Sequence, residues 1–133
     1  MVVHAALLMQ HAQRFAGNDP LIVAGDYNIQ PGTPTYNMIT EGYLPRTDPQ
    51  SPKTPAPFDE AWEPKVLQMR SAYATRNGTE PAITNKATTK RGGGFEGCLD
   101  YIWMRGVQKV RSWGVGGGRT GGEGALDAGC GGS

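Results

Sequence analysis

Four consecutive apolar residues, Leu21-Ile22-Val23-Ala24, stand between the turn-forming Asn18-Asp19-Pro20 and Gly25. A run this short, bounded by turn residues and rich in β-branched side chains, reads as a strand. Because it is apolar at successive positions, both of its faces are expected to be covered. Upstream, Val3, Leu7, Leu8, Ala12 and Phe15 recur at spacings of three and four, which predicts an amphipathic helix over Val2 to Ala16 with Gly17 as its stop. No Ser, Thr, Asp or Asn precedes the first turn to cap it, so the chain is expected to begin inside an element. Thr33 followed by Pro34 supplies a cap and a first helical position, predicting a short helix from Thr35 to Glu41 closed by Gly42.

The stretch from Tyr43 to Pro64 is rich in Pro, Asp, Ser and Thr without a period and is expected to be a long surface loop. Strands are expected over Lys65 to Tyr73, Pro81 to Thr84, Leu99 to Met104 and Val107 to Trp113. Helix, strand, helix and then several strands make an α/β sandwich. Ten of the 20 glycines fall in Gly114 to Ser133, where too few apolar side chains remain to offset the entropy of ordering, so this tail is expected to be disordered.

Composition removes several classes. With 133 residues and a formal charge of +1, the chain is one domain without a polybasic tail, and no apolar run approaches the ~20 residues that span a bilayer. Cys98 and Cys130 stand far apart with no histidine at metal spacing, so neither a disulfide framework nor a zinc site is expected, and the expected setting is intracellular, cytoplasmic before nuclear or organellar.

Chemistry concentrates where the first strand ends. Asp26 and Asn28 sit just beyond its carboxyl end, where α/β sheets often bind ligands, and residues two apart can turn to one side while Tyr27 points elsewhere. A carboxylate that only accepts and an amide that donates and accepts suit a water or a phosphate oxygen. An Asx-turn leading to Pro31 is the other reading of the same residues. Asp100 lies in the otherwise apolar Leu99-Asp100-Tyr101-Ile102-Trp103, where a carboxylate needs a cation, a metal or hydrogen-bond donors, including the purely structural option of an arginine or backbone groups. Lys86, Lys90 and Arg91 form a small basic cluster that could attract phosphate, although such runs are ordinarily solvated.

Taken together, Leu21 to Asn28 with Pro31, Ser71-Ala72-Tyr73, Glu80-Pro81 with Thr84-Asn85, and Leu99-Asp100-Tyr101-Ile102 resemble the endonuclease/exonuclease/phosphatase (DNase I-like) superfamily. Within it they resemble the branch of carbon catabolite repression deadenylases, nocturnin and their relatives. The resemblance covers Val2 to about Trp113, so residues 1–113 are expected to be a partial domain, the incomplete C-terminal half of a DNase I-like four-layer α/β sandwich, with 114–133 as the tail.

The resemblance implies a Mg²⁺-dependent phosphodiesterase of the 3′–5′ exoribonuclease type, acting on an RNA 3′ end or a nucleotide phosphate, with no membrane partner. In it Asp26 would align the attacking water, Asn28 would hold the scissile phosphate and Asp100 would orient a catalytic histidine. Asn85 and Tyr73 would lie along the substrate. The family's metal-binding glutamate and its Thr-His-Leu segment lie upstream of the first helix, and its Ser-Asp-His segment is replaced by Gly116-Gly117-Gly118-Arg119; His4 and His11, both on the first helix, cannot stand in. The expectation is therefore a fragment lacking activity and of marginal stability. A non-catalytic RNA- or protein-binding remnant and a phosphatase of the same fold acting on a small molecule are the alternatives.

Overall fold

The computed structural model describes residues 1–53, 62–88 and 92–107. They form a small mixed α/β fold of helices and two antiparallel sheets. The elements in order are α1 (Val2–Ala16), β1 (Leu21–Asp26), α2 (Pro34–Glu41), β2 (Arg70–Ser71), α3 (Ala72–Asn77), β3 (Asn85–Thr88), β4 (Gly94–Gly97) and β5 (Asp100–Arg105). One sheet has the order β1-β5-β2, the other is the pair β3-β4. In the first, β1 and β5 run antiparallel from Leu21 opposite Arg105 to Asp26 opposite Asp100, and β2 adds Arg70 opposite Met104 and Ser71 opposite Trp103.

The core lies on one face of this sheet. Tyr101 and Trp103 of β5 are almost wholly buried there against Val2, Ala6 and Met9 of α1 and Met38 and Ile39 of α2. Their rings stack at 4.9 Å, and Tyr27 and Tyr36 meet them edge-on or tilted at 5.5–6.1 Å. Burying such aromatic rings supplies much of the apolar area of a fold this small. α2 starts as anticipated: the Thr33 side chain accepts from the Tyr36 N–H at 3.4 Å, and Gly42 closes the helix in the left-handed region at φ 72°. A side chain at Gly42 would also strike the Val66 carbonyl, 2.7 Å from where its Cβ would sit.

Several expectations are corrected. α1 has the expected bounds but turns the other way: Val2, Ala6, Met9 and Gln13 face inward, whereas Val3, Leu7, Leu8 and Phe15 are exposed. The helix is apolar around much of its circumference, and its inward face includes the polar Gln13. Its amide donates to the Leu67 carbonyl at 2.7 Å and accepts from the Leu67 N–H at 2.9 Å, satisfying a peptide that no strand pairs. β1 is covered on one face only. Leu21 and Val23 are half-buried while Ile22 and Ala24 are exposed, because both helices of the core pack on the same side.

The expected strand over Lys65 to Tyr73 reduces to Arg70–Ser71. Lys65 has a positive φ of 46°, the Leu67 peptide is taken by Gln13, and the Ser71 side chain caps α3 by accepting from Ala74 N–H. Pro81 to Thr84 is not a strand; pairing begins at Asn85, opposite Gly97 of the glycine-rich β4, which was not anticipated. The described residues of the Tyr43–Pro64 loop hold neither helix nor strand. The expected strand beyond Val107, the tail, Lys90, Arg91 and Cys130 lie outside the described residues.

Candidate functional site

The register places Asp26, the last residue of β1, directly opposite Asp100, the first of β5. Paired residues in antiparallel strands point to the same face, with Cβ atoms ~4.5–5.5 Å apart. Since Tyr101 and Trp103 occupy the core face, Asp100 and Asp26 project from the other one, alongside Ile102 and Ala24. Two like charges facing each other are unfavourable unless something positive or a donor joins them. Neither carboxylate has a counter-charge among the described ion pairs, which are Arg46–Glu63 and Lys86–Glu96.

The loops on either side are tied down by named bonds. Asp26 Oδ1 accepts from the Asn28 N–H at 2.8 Å, an Asx-turn that carries Asn28 into the left-handed region at φ 51°. The Asx-turn and the functional placement are thus compatible: one carboxylate oxygen holds the turn and the other is left for a ligand. Tyr27 turns the opposite way, its N–H donating to the Leu99 carbonyl at 2.8 Å and its ring entering the aromatic cluster. Burial there pushes its phenol up to about 12.

On the other side, Thr84 Oγ1 accepts from the N–H groups of both Leu99 and Asp100, at 2.9 and 3.0 Å, fixing the start of β5. Tyr101 Oη completes the arrangement from beneath, donating toward the carbonyls of Ile29 at 3.0 Å and Cys98 at 3.2 Å. It spans the two loops that present Asp26, Asn28 and Asp100. Burial, followed by the neighbouring Cys98, pushes its phenol well above the usual range, and burial likewise pushes up the Cys98 thiol.

Asn85, half-buried, opens β3 opposite Gly97, and a Cβ built on Gly97 would lie 3.4 Å from the Gln30 amide. The small sheet therefore meets the turn that follows Asn28 through Gln30, and Asn85 follows Thr84, whose hydroxyl holds the start of β5. Tyr73 is half-buried on α3, which follows β2 on the opposite side of β5 from β1. Lys86 is paired to Glu96 across the hairpin, which spends its charge locally. His4 and His11 are exposed on α1.

Sequence reasoning named Ser71 and Glu80 only as parts of motifs and missed the bonds they make. Glu80 accepts from Tyr36 Oη at 2.8 Å and from Ser71 Oγ at 2.9 Å, joining α2 to the start of α3. Burial first, and then this carboxylate, push the Tyr36 phenol above its ordinary range. The signals present were the capping pattern Ser71 to Gly78 and a lone Glu between Thr79 and Pro81, but nothing local points either toward Tyr36.

Mg²⁺ takes six oxygens, of which a protein usually supplies one or two carboxylates while water and substrate phosphate give the rest. Asp26 and Asp100 offer two carboxylates, one of them already committed in part to the Asx-turn, and no group of three or more metal-ligating side chains occurs among the described residues. Together the two carboxylates are within the one or two that Mg²⁺ takes from a protein, and they would hold it with water and substrate phosphate completing its shell. No helix among the described residues is long and apolar enough to cross a membrane. The chain matches no protein-family model and no curated protein.

Proposed function

We propose that this chain carries the strand-end part of a phosphodiesterase site of the DNase I-like, 3′–5′ exoribonuclease type, on one half of a four-layer α/β sandwich. The observation that carries the reading is the register pair of Asp26 and Asp100 on one face, with Asn28 held beside them in a left-handed turn. The free oxygen of Asp26 accepts a proton from water and sets its lone pair toward phosphorus. The Asn28 amide donates to a non-bridging phosphate oxygen, a contact that strengthens as charge builds on that oxygen. Asp100, its backbone fixed by Thr84, is the acceptor for a donor that would face the leaving oxygen, a group the described residues do not supply. Asn85 would lie along the substrate.

A binding role without turnover is the second reading. It is favoured by the ion pairs of the described residues, neither of which brings a cation to Asp26 or Asp100 to offset charge building on a phosphate. In either reading the partner is an RNA 3′ end or a nucleotide phosphate.

The test uses 3′-labelled oligo(A) with and without Mg²⁺, scored for both anisotropy and cleavage. Binding is expected, weakened severalfold in Asn28→Ala, with any Mg²⁺-dependent cleavage lost in Asp26→Ala; Asp48→Ala, in an exposed turn, serves as control. Cleavage separates the two readings. No binding by the native chain, or unaltered binding in Asn28→Ala, refutes both.

A further inference from the structure

We propose that the uncovered face of the three-stranded sheet is a self-association surface, and that its occupant is a second copy of this chain packed face to face with strands reversed. Among the described residues the face is apolar at its centre: Ile22 lies opposite Met104 and Ala24 opposite Ile102, with Ile22 59% exposed, Ala24 exposed and Ile102 and Met104 half-buried. β1 is apolar at consecutive positions, as a strand covered on both sides is, yet α1 and α2 cover only one. A contiguous apolar surface of this kind marks an interaction site, and a sheet face is best covered by another sheet about 10 Å away.

Charge selects the partner. Asp26 and Asp100 form one end of the face; at the other, Arg70 lies opposite Met104, exposed, with Nη2 donating to the Val107 carbonyl at 3.2 Å. Asp100 and Met104 are equally distant from Ile102 along β5. A two-fold axis crossing the strands at Ile102 therefore lays each acidic end over the other copy's Met104 row. The partner's Arg70, one strand over at ~4.8 Å, comes within side-chain reach of Asp100, with guanidinium donors to spare beyond its Val107 bond. A two-fold axis along the strands would instead stack acid on acid. The strand-reversed arrangement makes the ion pair twice, since a two-fold interface repeats each contact.

This inference goes beyond the phosphodiesterase reading and does not rest on it. The dimer covers the carboxylate pair, so association would close the proposed site, but association is measured with no nucleic acid present. The experiment is sedimentation equilibrium of the full chain from low to high micromolar concentration, with circular dichroism of every variant to verify folding.

A monomer–dimer equilibrium is expected. Ile22→Lys, at an exposed position, should leave the chain folded and monomeric. Arg70→Asp should weaken the dimer about tenfold or more, because the pair occurs twice. Adding Asp100→Arg to Arg70→Asp restores opposite charges in swapped positions and should recover most of the loss. Leu8→Lys on the exposed side of α1 should leave the dimer unchanged. A chain that stays monomeric to roughly 100 µM overturns the proposal. So does a dimer lost in Leu8→Lys but kept in Ile22→Lys, or a charge swap that recovers nothing.

Discussion

Replacing Tyr101 with Phe removes one oxygen from a ring that is 1% exposed and leaves the aromatic stack in place. The lost hydroxyl served two buried carbonyls, those of Ile29 and Cys98, from one shared proton. Stranding acceptors in the interior costs ~1–3 kcal/mol, so a loss of about 2 kcal/mol is expected near neutral pH. For a domain of this length that lowers the melting temperature by roughly 8 °C.

The same group makes the loss depend on pH. The folded Tyr101 phenol is raised above the unfolded value of 10.0, so its contribution is fully present below pH 10 and is lost as pH rises beyond it, because the unfolded chain ionises there and the folded one does not. That loss runs to about 1.4 kcal/mol by pH 11 and is missing in the Phe variant. The stability gap between the two proteins should therefore shrink to about a third between pH 8 and pH 11. Contributions from the remaining tyrosines cancel in the difference. Urea titrations at a series of pH values measure it. A gap under about 0.5 kcal/mol at pH 8, or one that stays constant to pH 11, would refute the bridging role.

Tyr27 offers the opposite case. Its buried oxygen has no partner among the described residues, so Tyr27→Phe should leave the protein as stable or about 1 kcal/mol more stable; a loss of that size in urea titration would reveal a bond to the hydroxyl. Ser71→Ala removes both the cap of α3 and a donor to Glu80, and should cost about 2 kcal/mol, with Ser71→Thr recovering most of it in the same assay.

The parts of the fold legible in the sequence are those specified by neighbours along the chain. The bounds of α1 and α2 follow from Gly17, Thr33, Pro34 and Gly42, each acting on its own helix end. β1 and β5 follow from their apolar, β-branched and aromatic runs. What misled is what depends on distant partners. The inward face of α1 carries Gln13, whose partner is the Leu67 backbone 54 positions away, and a count of apolar side chains does not reveal it. Residues 65–69 look extended for their Val66, Leu67 and Met69, but backbone groups there are claimed by Gln13 and by the Ile39 carbonyl.

The candidate site shows the same division. Asp26, Asn28 and Asp100 could be singled out because polar side chains at the end of apolar runs are locally anomalous, and the register then sets Asp26 opposite Asp100. Tyr73 was grouped with them through the family resemblance, and it lies on the helix that Ser71 caps, which no feature of the resemblance announces. Thr84 and Tyr101 hold the site, and Glu80 joins α2 to the start of α3, through bonds spanning 9 to 72 positions, which no local pattern encodes.

Gln13 has a consequence for what this helix can tolerate. Its amide reproduces the donor and acceptor of a peptide group, so position 13 discriminates between side chains of equal size: Glu lacks the donor, Met lacks both, and Asn falls one methylene short. The isolated polar residue on an otherwise apolar inward stripe is thus a surrogate for a missing strand at Leu67, as the Ile39 carbonyl is at Met69, and the segment offers that much less backbone to a foreign strand.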